Sequence, residues 1–180
     1  MLKFPTFLFF VLIYLQCYSQ HTEAFLNIAS ELNTSQSTQE TKYFSGTKQL
    51  KEVTNYLIYD INGRKYKVKA GENILYYKNG QVLFDMKYDN FGNLLFCKKF
   101  DKNGKIIDEL TALEIDIPEE SITEDILTSV KTIVSYNQKY YNTKNGKHYL
   151  FKEENKINNK RKGIWKTFDV NGNNIKSKTF

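Results

Sequence analysis

The residues that could do chemistry in this chain are one internal thiol, two histidines, scattered carboxylates and a basic, aromatic C-terminal half. Nucleophilic catalysis needs a thiol or hydroxyl held beside a base, and Cys97 with His148 would be the pair. Each is better accounted for by a strand. Cys97 lies between Phe96 and Lys98, where a small core residue is expected, and His148 opens the run His148-Tyr149-Leu150-Phe151, an ordinary sheet position. Cys97, His21 and His148 are too few for a zinc site of the usual Cys and His type. Paired carboxylates of the sugar-hydrolysing kind have no sequence signature, and the acids here fall at turns or in one acidic block. No catalytic, cofactor-binding or metal-ligating residue is assigned, no cofactor is expected, and the reading is of a protein that is not an enzyme.

Binding is the other chemistry. The chain holds thirteen Tyr, thirteen Phe and a single Trp. Adjacent pairs such as Tyr76-Tyr77 and Tyr140-Tyr141 must send one ring to each face if they lie in strands. Eleven Lys or Arg fall between Lys139 and Lys178 against Glu153, Glu154 and Asp169, whereas Asp108 to Asp125 carries eight acids and no base. Tyr140, Tyr141, Lys144, Lys147, Tyr149, Lys152 and Lys166 are therefore the candidate binding residues. A basic surface with exposed rings suits a protein partner, or an anionic glycan or lipid.

The elements that must position these groups are announced by a recurring phrase: aromatic, Asp, two residues, Gly, then Asn, Lys or Arg. It reads Tyr59-Asp60-Ile61-Asn62-Gly63-Arg64, Tyr88-Asp89-Asn90-Phe91-Gly92-Asn93, Phe100-Asp101-Lys102-Asn103-Gly104-Lys105 and Phe168-Asp169-Val170-Asn171-Gly172-Asn173. Copies without the Asp end at Gly80 and Gly146. Gly tolerates the positive φ of tight turns, and Asp accepts bonds from N–H groups two residues on. Gly63, Gly80, Gly92, Gly104, Gly146 and Gly172 are thus predicted turn residues. Val82, Phe84, Met86 and Tyr88 alternate with Leu83, Asp85 and Lys87, the period of a half-buried strand. The fold predicted is mainly β with one or two helices (α+β), an antiparallel meander of repeated hairpins with an inserted amphipathic helix.

Three further segments complete the outline. Met1 to Ser19 carries Lys3 and then a short apolar run to Leu15, which fits a signal peptide cut near Ser19. An alternative makes Cys17 a lipidated first residue. Roughly 160 residues then remain, enough for one domain, with Cys97 as the one thiol and no internal disulfide. Residues 20–42 read as a short helix, with Phe25, Ile28, Ala29 and Leu32 on one face, followed by a polar linker from Asn33 to Thr41. Residues 43–180 read as a single β-repeat domain with a helix near 119–135. That helix is suggested by Ser121-x-x-Glu124, a possible capping box, and by Ile122, Ile126, Val130 and Ile133. No transmembrane span is expected once the signal is removed, and export makes nucleic acid an unsuitable partner.

The stretch Gly163-Ile164-Trp165-Lys166-Thr167-Phe168-Asp169-Val170-Asn171-Gly172-Asn173 resembles the MORN-repeat variant family through Gly163, Trp165, Phe168 and Gly172. Tyr76 to Gly80 and Tyr88 to Lys105 resemble partial copies. A lesser resemblance, through Tyr88-Asp89-x-x-Gly92, is to the Tyr-Asp repeats of large shell-forming toxins. The first resemblance implies β-hairpin arrays that are often exported or displayed at the surface, some of them antitoxin-like. It implies an interaction module. The expectation is an exported, periplasmic or extracellular protein that binds another envelope or extracellular protein, with anionic glycan or lipid as the alternative ligand and a small hydrolase as a lesser one.

Overall fold

The repeated phrase folds into one recurrent turn. In Asp89–Asn93, Asp101–Lys105 and Asp169–Asn173 the first N–H donates to the fifth carbonyl at 3.0, 2.8 and 2.9 Å. The Asp Oδ1 then accepts two more N–H groups: Phe91 and Asn93 on Asp89, Asn103 and Lys105 on Asp101, Asn171 and Asn173 on Asp169. Gly92, Gly104 and Gly172 hold φ of 90°, 81° and 85°, a region a Cβ strains. Tyr77–Gln81 and Thr143–Lys147 close in the same way, with the Thr143 hydroxyl in place of the carboxylate. In four of the five turns the preceding aromatic (Tyr76, Tyr88, Phe100 or Phe168) sits at a register slip, where the following strand carries one extra residue. Such bulges raise local twist. The phrase at Gly63 folds differently, as a two-residue turn with positive φ at both Asn62 and Gly63. Asn158-Asn159 makes a turn of the same kind.

The structure is a computed structural model that describes residues 20–128 and 131–180. The expected signal peptide, residues 1–19, lies outside the described residues. Helix α1 (Glu23–Ala29) leads into β1 (Thr34–Tyr43), β2 (Leu50–Ile61), β3 (Arg64–Lys69), β4 (Gly71–Tyr76), β5 (Val82–Tyr88), β6 (Leu94–Phe100) and β7 (Ile106–Asp116). Helix α2 (Asp125–Thr128) precedes β8 (Thr132–Asn142), β9 (His148–Ile157), β10 (Lys160–Arg161), β11 (Ile164–Phe168) and β12 (Asn174–Thr179). These twelve strands form one open sheet in the order β1-β2-β4-β5-β6-β7-β8-β9-β11-β12, with β3 folded onto β2 and β10 onto β9. Every strand pair is antiparallel. The mainly β meander with two helices is therefore the architecture.

Two expectations are corrected. The polar segment 33–41 is not a linker but the body of β1, paired along β2 from Thr34↔Tyr59 to Tyr43↔Leu50. An edge strand with few buried side chains can be Thr- and Gln-rich, so it gives no apolar alternation to read. The helix expected over 119–135 shrinks to Asp125–Thr128, and β8 begins at Thr132. Ile133 and Val134 are taken by pairing with Ile115 and Glu114, in keeping with their β-branched side chains. The Ser121–Glu124 capping box does not form. Ile122 N–H donates to Asp125 Oδ2 instead, and the Glu124 carboxylate is drawn to Arg64 and Tyr66.

One face of the sheet, here the front, carries the apolar core. Phe25 and Ala29 of α1 and Ile126 of α2 bury against Ala112, Ile115 and Ile117, with Ile28, Leu32, Phe91, Leu95, Leu127 and Ile133 around them. Thr22 caps α1 by accepting from Phe25 N–H. The chain before α1 is tied to β7 by Thr22 N–H to Ile115 O and Ile115 N–H to Gln20 O. His21 stacks on Phe25 at 4.6 Å, and its Nε2 lies 2.7 Å from Asp89 Oδ2. One turn carboxylate thus also anchors the helical layer.

The turn at Gly92 gives the sharpest test of this scheme. A Cβ there would meet Val68 Cβ at 3.2 Å as well as the strained φ, whereas at Gly172 it would meet open space. Gly92→Ala is expected to cost roughly 1 kcal/mol or more, and more than Gly172→Ala, in urea unfolding of the two variants. Equal costs would mean that the packing of this turn on β3 contributes nothing.

Candidate binding face

In a strand, alternate residues share a face and directly paired residues share it too. Register therefore assigns every side chain of the C-terminal strands. The pairs Lys139↔Lys152, Thr167↔Lys152 and Lys176↔Thr167 put Lys139, Lys152, Thr167 and Lys176 in one transverse row across β8, β9, β11 and β12. The row runs on through Asp108 and Lys99, paired to Lys139 and to each other. It lies on the front face, the same face as Ser135 and Ala112 beneath the helices. Beside it, Arg161 pairs with Lys156 and Lys178 pairs with Trp165.

Like charges directly opposite one another destabilise a sheet. Here there are two such pairs, Lys139↔Lys152 and Lys156↔Arg161. Part of the repulsion is relieved by Glu154, whose side chain is only 2% exposed. Lys152 Nζ lies 2.7 Å from its Oε1, and Lys156 and Lys139 lie 3.2 and 3.3 Å from its Oε2. Burial alone would push the Glu154 carboxyl up, but hydrogen bonds and charge from the three lysines overcome it, so it sits below the usual carboxylate range. One carboxylate serves three ammonium groups, which leaves a local surplus of positive charge.

The rest of the cationic set is held by aromatic rings. Lys152 Nζ lies 4.5 Å from the Trp165 ring centre, and the Arg161 guanidinium lies 4.8 Å from Trp165 and 5.0 Å from Phe180. Lys178 Nζ sits 4.8 Å from Phe180, and the two rings pack on each other at 4.9 Å. The electron-rich ring faces attract cations. Trp165 is fixed in turn by its Nε1–H, which donates to Asn155 O at 2.8 Å. Among the described residues no carboxylate side chain pairs with Arg161, Lys176 or Lys178. Lys152, Arg161, Trp165, Thr167, Lys176, Lys178 and Phe180 line an open cleft of about 250 Å³.

The candidate residues read from sequence are divided by the register. Tyr141, Tyr149 and Lys152 share the front face, where the Tyr141 ring lies 6.1 Å, centre to centre, from each of Tyr149 and Phe151. Tyr141 is 54% exposed. The extra residue in β9 brings Phe151 beside Lys152 on that face. Tyr140 and Lys166 point to the back, where Tyr140 stacks on His148 and Lys166 lies 4.0 Å from Glu153. Lys144 and Lys147 belong to the Thr143–Lys147 turn. Arg161, Trp165, Lys176, Lys178 and Phe180 were not among the binding residues expected. The lysines at alternate positions in Ile175-Lys176-Ser177-Lys178 were the signal that pointed to one basic strand face.

The candidate nucleophile and base are kept apart. Cys97 is on the front face of β6, opposite Met86 and Leu110, and burial pushes its thiol up to about 11. His148 is three strands further on, in β9, with Nε2 2.6 Å from Ile106 O. The contact of His21 with the Asp89 carboxylate is absorbed by structure, since the same carboxylate also accepts from Phe91, Asn93 and the Asn93 amide.

The lysine cluster makes a pH prediction. A carboxyl held below its unfolded value contributes stability above that value, and the contribution is lost as pH falls through the folded one. Glu154→Gln should cost on the order of 3 kcal/mol near neutrality. It should also flatten the acid limb of the stability curve measured by urea unfolding between pH 3 and 7. An unchanged acid limb would assign that limb to the turn aspartates, of which Asp101 and Asp169 are also held low by turn hydrogen bonds.

Compared with protein-family models, curated proteins and solved structures, the chain matches none.

Proposed function

We propose that this chain is an exported, non-enzymatic β-repeat binding protein that holds an anionic partner on the front face of its C-terminal strands. The observation that carries this reading is the transverse row of Lys139, Lys152 and Lys176, flanked by Arg161 and Lys178, on one face of a single layer. Directly opposed cations cost the fold stability, and an anion docked across them recovers it. The apolar N-terminal run behind Lys3 supports the export in this reading, under which the partner belongs to the envelope or the outside of the cell. The exposed ring cluster of Tyr141, Tyr149 and Phe151 supports a second reading, a protein partner, because Tyr and Phe are enriched at protein interfaces.

Exposed charges are screened over about 8 Å at physiological ionic strength. Retention of the protein on an anionic matrix should therefore fall steeply with salt. Lys176→Gln combined with Lys178→Gln should shift elution to lower salt while leaving the circular dichroism spectrum unchanged. Retention that ignores both salt and these substitutions would point to the aromatic cluster and a protein partner. A mature N-terminus near Gln20, read by mass spectrometry of the envelope fraction or medium, is the matching expectation for export. An intact Met1 on a cytoplasmic protein would remove it.

A further inference from the structure

We infer that the cleft between Trp165, Phe180 and Arg161 is a subsite for the acidic ring of an anionic polysaccharide, one bearing carboxylate or sulfate. This rests on the binding function proposed above and names its ligand class and its central contacts. Three features select that chemistry.

The first is how the cations are held. Arg161 lies 4.8 and 5.0 Å from two rings that pack on each other, and Lys178 lies 4.8 Å from one of them. A guanidinium held against aromatic faces keeps its planar donor fork free for a carboxylate or sulfate. Because the rings restrain these side chains, less conformational freedom is lost when an anion binds.

The second is shape. At about 250 Å³ the cleft is smaller than the roughly 300–1,000 Å³ typical of sites that enclose a whole ligand. It suits one unit of a chain that continues over the surface. A bilayer presents its headgroups in a plane, whereas these cations line a recess. Thr167 adds a hydroxyl to that lining, and Phe180 adds an apolar wall for the C–H face of a sugar ring.

The third is continuity. From the cleft, Lys152 and Lys139 carry positive charge across β9 and β8. The cluster of Tyr141, Tyr149 and Phe151 on the same face then offers rings to a following sugar unit. Cations and rings in succession along one face match a polymer in which anionic groups alternate with apolar ring faces. A flexible acidic peptide would gain less from that order.

The test is titration calorimetry of the whole protein with four probes: sulfated and uronic-acid oligosaccharides, neutral dextran, polyglutamate, and phosphatidylglycerol vesicles. Saturable, salt-sensitive binding is expected for the acidic oligosaccharides, with dextran silent and polyglutamate and vesicles weaker. Arg161→Gln and Lys178→Gln should each weaken oligosaccharide binding about tenfold, the loss of one charge-assisted hydrogen bond. Arg161→Lys should recover only part of the loss, and Lys48→Gln, between β1 and β2 at the opposite edge of the sheet, should bind as the parent does. Circular dichroism checks that each variant is folded. Oligosaccharide binding that is unmoved by both Arg161→Gln and Lys178→Gln would overturn the subsite and leave the anion-binding function standing. Polyglutamate or vesicles binding as tightly as the sugars would overturn the ligand class. No binding to any polyanion would remove the subsite and the proposed function together.

Discussion

Everything in this molecule depends on closing tight turns at positive φ. An open antiparallel sheet has no barrel seam to hold it, so each strand is kept in place by its neighbours and by the turn that delivers it. In three turns an Asp carboxylate gathers two backbone N–H groups just where the chain reverses. Those donors would otherwise depend on water. The bulge at the preceding aromatic belongs to the same device, since it matches a five-residue reversal to strands whose side chains must keep their faces.

The rest of the fold shows how unevenly such a sheet can be supported. Apolar burial is concentrated where α1 and α2 lie over β7 and the start of β8. Toward β12 the sheet becomes a single layer, and all of β12 is exposed. Ion pairing and ring–cation packing take over there, with Glu154 at the centre of three lysines and Trp165 under Arg161 and Lys152. The region least sheltered by helices is the one where charge is gathered, which leaves that charge open to a partner.

The sequence was legible where local chemistry decides structure. The turn glycines, the alternating strand of Val82 to Tyr88 and the helix face of Phe25, Ile28 and Ala29 could all be read without tertiary context. It was opaque where pairing decides. Thr34 to Tyr43 carries no apolar period because its order comes from the β2 backbone. Ile133 and Val134 fit a helical stripe until β7 claims them. The candidate site shows the same split. Its basic, aromatic character was visible, but the division of Tyr140 from Tyr141 and of Lys166 from Lys152 follows from register. So does the gathering of Arg161, Lys178 and Phe180 around Trp165, because residues distant in sequence meet only across strands.

Nearest-neighbour pairing also sets how such a protein can change over evolutionary time. Gly80, Gly92 and Gly104 recur every twelve residues, one strand and one turn apart. Duplicating a single unit would reverse the direction of every strand after it. Duplicating two units restores direction and would leave both flanking halves in their original pairings. Length can therefore grow in even steps between the N-terminal strands β1 to β4 and the helical layer over β7, moving that edge away from the basic face while sparing both.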